Sequence, residues 1–140
     1  MFSNSDTRFP VDSPHSFDNT ITYLQNSDFD ESGKMITDVG NKRVAILIQS
    51  HQCGFCKPVK DCWQRIANEK FEKDGDVLMC TIDAYENTNL LRRINKFIPE
   101  FKGFPFITAY QNGILTDTYS GDRKYDSILK FCDKKISTIM

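Results

Sequence analysis

A chain of 140 residues is long enough to bury one core without metal or disulfide staples, which makes a single domain the starting expectation. Its 18 basic and 19 acidic residues leave a net charge of −1, and no Lys/Arg run is long enough to track phosphates, which argues against nucleic acid as a partner. The first thirty residues lack the basic start and apolar run of a secretory leader, and no apolar stretch approaches the ~18 residues of a membrane span. The expectation is a soluble, cytoplasmic protein that meets no membrane. Five cysteines, an odd number, fit a reactive pair plus separate thiols in a reducing compartment better than a disulfide framework.

Residues 1–19 carry Pro10, Pro14 and many small polar side chains without apolar periodicity, and read as a flexible N-terminal extension. Residues 20–140 form the folded domain. Ile21–Leu24 reads as a short strand. Asp28, followed three residues later by Glu31, reads as a capping box that opens a helix through about Val39, weakened by Gly33. Val44–Ile48 is continuously apolar and β-branched, as in a strand covered on both faces. Cys53-Gly54-Phe55-Cys56 follows directly.

From Cys56 onward Val59, Trp63, Ile66 and Ala67 recur at helical spacing, so a helix starts at the cysteine pair. Val77–Asp83 is a second strand, and Leu90, Leu91, Ile94 and Phe97 mark an amphipathic helix that ends before Pro99. Phe106–Gln111 and Ile114–Tyr119 are strands joined by Asn112-Gly113, a dipeptide that favours a type I′ hairpin. A last helix runs from Tyr125 to about Ile136. The order is β-α-β-α-β-α-β-β-α, an α/β fold with a mixed central sheet flanked by helices on both faces.

Disulfide exchange requires an exposed sulfur that forms a thiolate, and a helix N-terminus offers an anion unpaired N–H groups and the positive end of the helix dipole. The N-terminal cysteine of a strand-to-helix turn is the more exposed of a pair. That makes Cys53 the nucleophile and Cys56 the resolving thiol. Gly54 allows the tight turn, Phe55 offers an apolar face beside the sulfur, and Lys57 and a protonated His51 supply nearby positive charge.

The competing reading of a CxxC is half a zinc site, but structural zinc normally takes two such knuckles and this chain has one. No metal and no cofactor are expected. Cys62, Cys80 and Cys132 fall in apolar patterns and read as buried small hydrophobes, with a regulatory role open for Cys62.

Together these segments resemble the thioredoxin superfamily, in its thioredoxin and protein disulfide isomerase branches. The apolar strand into Cys53-Gly54-Phe55-Cys56-Lys57 is similar to the family's active-site segment. Trp63 stands where isomerase domains often have an aromatic. Asp83-Ala84, Glu86, Thr88 and Leu90 resemble its third strand and the following helix. Lys102-Gly103-Phe104-Pro105 is similar to its cis-proline loop, and Tyr119-Ser120-Gly121-Asp122-Arg123 to the entry of its last helix. The likeness covers roughly residues 20–137 and implies a thioredoxin fold and a thiol-disulfide oxidoreductase. It also implies a cis Phe104–Pro105 peptide facing Cys53, with the Phe104 backbone pairing to an extended substrate. The partners would be protein disulfides or dithiols and a redox donor or acceptor, with the chain a monomer or weak dimer.

Departures from the family pattern accompany the match. The buried acid six residues before the first cysteine is replaced by Leu47, so proton transfer needs water or another group. The Trp before the first cysteine is Gln52, and the helix-kinking proline is Asp61, although Pro58 occurs earlier. The segment Asn95–Phe101 is longer than in common thioredoxins and is placed to reshape the substrate rim. Two alternatives stand beside the enzyme reading: a glutathione-dependent protein similar to glutaredoxins, whose Cys-Gly-Phe-Ser has Cys56 in place of its Ser, and a redox-inactive binding module. The Asn/Asp/Lys/Ile-rich composition is that of AT-rich coding, as in some parasites or large DNA viruses, with packaging in a virion as the alternative location.

Overall fold

The computed structural model describes residues 17–71 and 75–134. Five strands and three helices follow one another as β1 (Thr22–Tyr23), β2 (Arg43–Gln49), α1 (Lys57–Lys70), β3 (Val77–Asp83), α2 (Thr88–Phe97), β4 (Phe106–Gln111), β5 (Ile114–Thr118) and α3 (Tyr125–Cys132). In the sheet they lie in the order β1-β3-β2-β4-β5, with β1 and β2 parallel to β3 and with β4 antiparallel to both β2 and β5. This is the mixed sheet of the thioredoxin fold.

All seven residues of β2 are buried, which explains its unbroken apolar run. The pleat sends Ala45 and Leu47 into one core, with Val59, Trp63 and Ile66 of α1 and Ile128 of α3. Val44, Ile46 and Ile48 enter the other, against Leu90 and Ile94 of α2. Trp63 ties α1 to the sheet by donating its indole N–H to the Cys80 carbonyl at 3.0 Å. At the hairpin Asn112 and Gly113 have φ of 54° and 81°, the positive pair that a type I′ turn requires.

The helix expected over residues 28–39 does not form. A single 3-10 turn, Asn26–Asp28, is followed by a loop with one bridge between Phe29 and Met35. Asp28 and Glu31 do not form the expected capping box: Glu31 is exposed, 3.9 Å from Arg93, and the carboxylates that bind backbone here are Asp28 and Asp30. Asp28 Oδ2 accepts from the Gln25 N–H at 2.7 Å, three residues back. Asp30 Oδ1 accepts from the backbone N–H groups of Ser32 and Lys34, satisfying them outside a helical ladder. Gly33 then adopts φ of 88°. Buried Phe29 and Met35 join the α2-side core, and Tyr110 O–H donates to the Gly33 carbonyl at 2.9 Å. The observed order is therefore β-β-α-β-α-β-β-α, with a packed loop on that face in place of the first helix.

Residues 1–16 of the expected extension, and Ile136 near the expected end of the last helix, lie outside the described residues. Phe17 and Asp18 are already docked. Phe17 packs on the α1-side core, and Asp18 exchanges hydrogen bonds with the Gln64 amide at 2.9 and 3.0 Å.

A Cβ at Gly33 would meet the Phe97 ring at 2.3 Å, whereas one at Gly40, also at positive φ, would meet nothing within 4 Å. Gly40→Ala should cost only the backbone penalty of about 1 kcal/mol. Gly33→Ala adds the overlap and should cost about 2–4 kcal/mol. Urea unfolding midpoints of the two variants check both values.

Candidate functional site

Strand β2 ends at Gln49 and the chain turns at once. Cys53 N–H donates to the Ser50 carbonyl at 3.0 Å and Gln52 N–H to Ser50 Oγ at 3.1 Å. Gly54–Cys56 is a 3-10 turn that feeds into α1, and Pro58 sits in the first turn, where its missing N–H costs no hydrogen bond. Cys53 is therefore at the mouth of the helix and partly exposed, while Cys56 is fully buried behind it. Both are thiols.

Burial, and then a hydrogen bond with Cys53, push the Cys56 thiol up to about 12, against smaller opposing effects from the Ser50 backbone and Lys60. Cys62, Cys80 and Cys132 are also buried, which raises each thiol, Cys132 to about 12. Among the described residues no three His, Cys, Asp or Glu side chains converge on a metal position.

His51 belongs to a network around Asp83, which is 1% exposed at the end of β3. Asp83 Oδ2 lies 3.0 Å from the donating His51 N–H and 2.9 Å from His51 Nδ1. Its Oδ1 accepts from the backbone N–H groups of Tyr85 and Glu86 at 2.9 and 3.3 Å. The His51 ring meets Tyr85 edge-on at 5.2 Å. One carboxylate thus fixes the loops after both β2 and β3.

The supporting residues divide. Phe55 is 85% exposed, a bare apolar face beside the cysteines. Gly54 has no positive φ, so the turn does not demand glycine there as expected. A Cβ at that position would meet nothing within 4 Å. Lys57 points along the outer face of α1, with Nζ 3.2 Å from Asp61 Oδ2. The lysine whose charge is felt at the buried thiol, weakly, is Lys60, which is 4% exposed. Sequence reasoning passed over it, although it falls four residues after Cys56 and three before Trp63, within the buried stripe.

The Phe104–Pro105 peptide is cis. Ile48 of β2 faces Phe106 of β4, so Pro105 is at the same sheet end as the turn that carries Cys53. A cleft of about 250 Å³ flanks Pro105, between Val59 of α1 and Tyr119 and Arg123. On the other side of Phe104, Arg92, Asn95, Pro99 and Lys102 line a groove of about 610 Å³. Ile98 and Phe101 anchor residues 95–101 by burial. Leu47 is fully buried in the α1-side core.

Comparison with known proteins agrees with this architecture. The chain is 30% identical over 129 residues to the thioredoxin-like protein 453L of Invertebrate iridescent virus 6, covering 82% of this chain and 94% of the viral one. It is 28% identical over 116 residues to protein disulfide-isomerase of Saccharomyces cerevisiae, and there it spans only 20% of the relative's length. The first thioredoxin domain of mouse protein disulfide-isomerase A4 shares the fold, with a TM-score of 0.62 at 22% identity, over 84% of this chain and 76% of that one. Residues 20–134 match the family model for thioredoxin, and the chain belongs to the thioredoxin family.

Proposed function

We propose that the chain is a thiol-disulfide oxidoreductase acting on protein substrates through Cys53 and Cys56. The observation that carries this reading is the asymmetry of the pair, with one sulfur accessible at the mouth of α1 and the other buried behind it. An anion formed on Cys53 faces the positive end of the α1 dipole. The thiolate attacks one sulfur of a substrate disulfide, forming a mixed disulfide and expelling the first substrate thiolate. Cys56, deprotonated, then attacks Cys53, the Cys53–Cys56 bond forms, and the second substrate thiolate leaves to be protonated by water. Two electrons pass from the dithiol to the substrate. Oxidation of a dithiol follows the same steps in reverse.

Substrate recognition falls to groups around the sulfurs. Exposed Phe55 and Phe104 offer apolar contact, and the Phe104 backbone before Pro105 pairs with an extended segment in this reading. His51 and Asp83 hold the loop in place.

Iodoacetamide should modify Cys53 first at neutral pH. Cys56 forms a thiolate only as pH climbs toward about 12, so below that it stays a poor nucleophile, and the other three cysteines are shielded. Mass spectrometry of tryptic peptides should show one carbamidomethyl group, on Cys53, and five after unfolding.

Dithiothreitol-driven insulin reduction tests the activity itself. Cys53→Ser should bring turnover to background. Cys56→Ser should accumulate mixed disulfides with its substrates, visible on non-reducing gels and lost on reduction. Wild-type turnover no faster than that of Cys53→Ser rejects the enzyme reading.

A further inference from the structure

Resolution of the mixed disulfide has an unmet requirement. The Cys56 proton must leave a fully buried sulfur, and Leu47, at the position to which the thioredoxin resemblance assigns a proton-accepting acid, is apolar. Asp83 is buried at the same end of the sheet, but its oxygens already face four donors from His51, Tyr85 and Glu86.

Lys60 is placed differently. It lies one helical turn beyond Cys56 on α1, its side chain is 4% exposed, and its buried Nζ has no hydrogen-bond partner among the described residues. The Phe17 ring covers it, with Nζ 5.6 Å from the ring centroid. An amine withdrawn from water without a hydrogen bond is costly to keep for packing alone. Its charged surroundings are Asp83 at the end of β3, Cys56 before the helix, and Lys57 and Asp61 on α1 itself.

We propose that Lys60 is the proton acceptor for Cys56, an inference that rests on the oxidoreductase reading. As Cys56 attacks the Cys53 sulfur, its S–H proton passes, by way of one water, to the unprotonated form of the Lys60 amine. The Cys53–Cys56 bond forms, and the bond from Cys53 to substrate breaks with its electron pair on the departing thiolate. The new ammonium then sits against the Phe17 ring and in the field of Asp83. In the reverse direction it returns the proton to Cys56 as that sulfur is released. Burial lowers the proton affinity of the amine, against the pull of Asp83 and Cys56. An amine accepts a proton only above its pKa, so this lowering moves the working window down from the usual lysine range.

Ellman's disulfide, mixed with the reduced full chain in a stopped-flow instrument, separates the two steps. The first thionitrobenzoate reports attack by Cys53, and the second reports resolution by Cys56. Lys60→Met keeps the apolar stem and removes the base. It should leave the first phase within twofold of wild type, slow the second about a hundredfold at neutral pH, and move its pH midpoint upward. Lys60→Arg installs a guanidinium that is always protonated and so accepts no proton, and should be slow in the second phase as well. Matching thermal unfolding of the variants and wild type accompanies both measurements. A second phase at the wild-type rate in either variant overturns the role of Lys60 while leaving the enzyme reading intact. A wild type that releases no second equivalent overturns both.

Discussion

A buried carboxylate at the end of a strand has to be answered by donors, and in this protein that requirement organises the site. Asp83 is taken out of water by its place at the end of β3, next to the equally buried end of β2. The donors that answer it come from two loops: His51, through its backbone and ring, from the turn after β2, and the Tyr85 and Glu86 amides from the turn after β3. Asn87 adds a side-chain hydrogen bond to the Asp83 carbonyl at 3.0 Å. The cysteine turn is thereby held against the sheet from behind, and Cys53 is left facing outward.

The central strand imposes the second constraint. Because β2 is buried on both faces, every side chain along it must suit one core or the other, and Leu47 suits the core that α1 and α3 close. An apolar residue there stabilises that packing and leaves this position of β2 without a carboxylate. Polarity re-enters from the neighbouring layer. Thr81 Oγ1 donates to the Leu47 carbonyl at 2.7 Å and receives the Gln49 amide at 3.1 Å. Lys60 brings a buried amine in from α1. A proton route moved from strand to helix keeps β2 continuous while serving the same sulfur.

Most of the architecture was legible because it rests on local signals. The boundaries of β3 and β4 coincide with apolar runs ended by polar or turn residues, and Asn112-Gly113 marks the hairpin. Trp63, Ile66 and Ala67 report the buried stripe of α1 directly. Residues 28–39 misled because Asp28, taken with Glu31 as a capping box, instead joins Asp30 in a loop whose carboxylates bind nearby amides. Which outcome wins depends on Phe29, Met35 and Tyr110 meeting in the core. The charge at Lys57 was visible, but its partner Asp61 on the outer face was not part of that reading.

By itself the sequence determined the order of the strands and later helices, the place of Cys53 and Cys56 at a strand-to-helix junction, and the absence of an acid at Leu47. Those properties follow from hydrophobic period, turn chemistry and residue identity, all of which act over a few residues. Only the tertiary structure decided that Asp83 holds His51, that Lys60 is buried under Phe17 with no hydrogen-bond partner among the described residues, and that the segment before β2 packs as a loop. Each of these depends on groups far apart in the chain sharing a space from which water is excluded. There, burial and charge set the chemistry, and neither is a property of a residue alone.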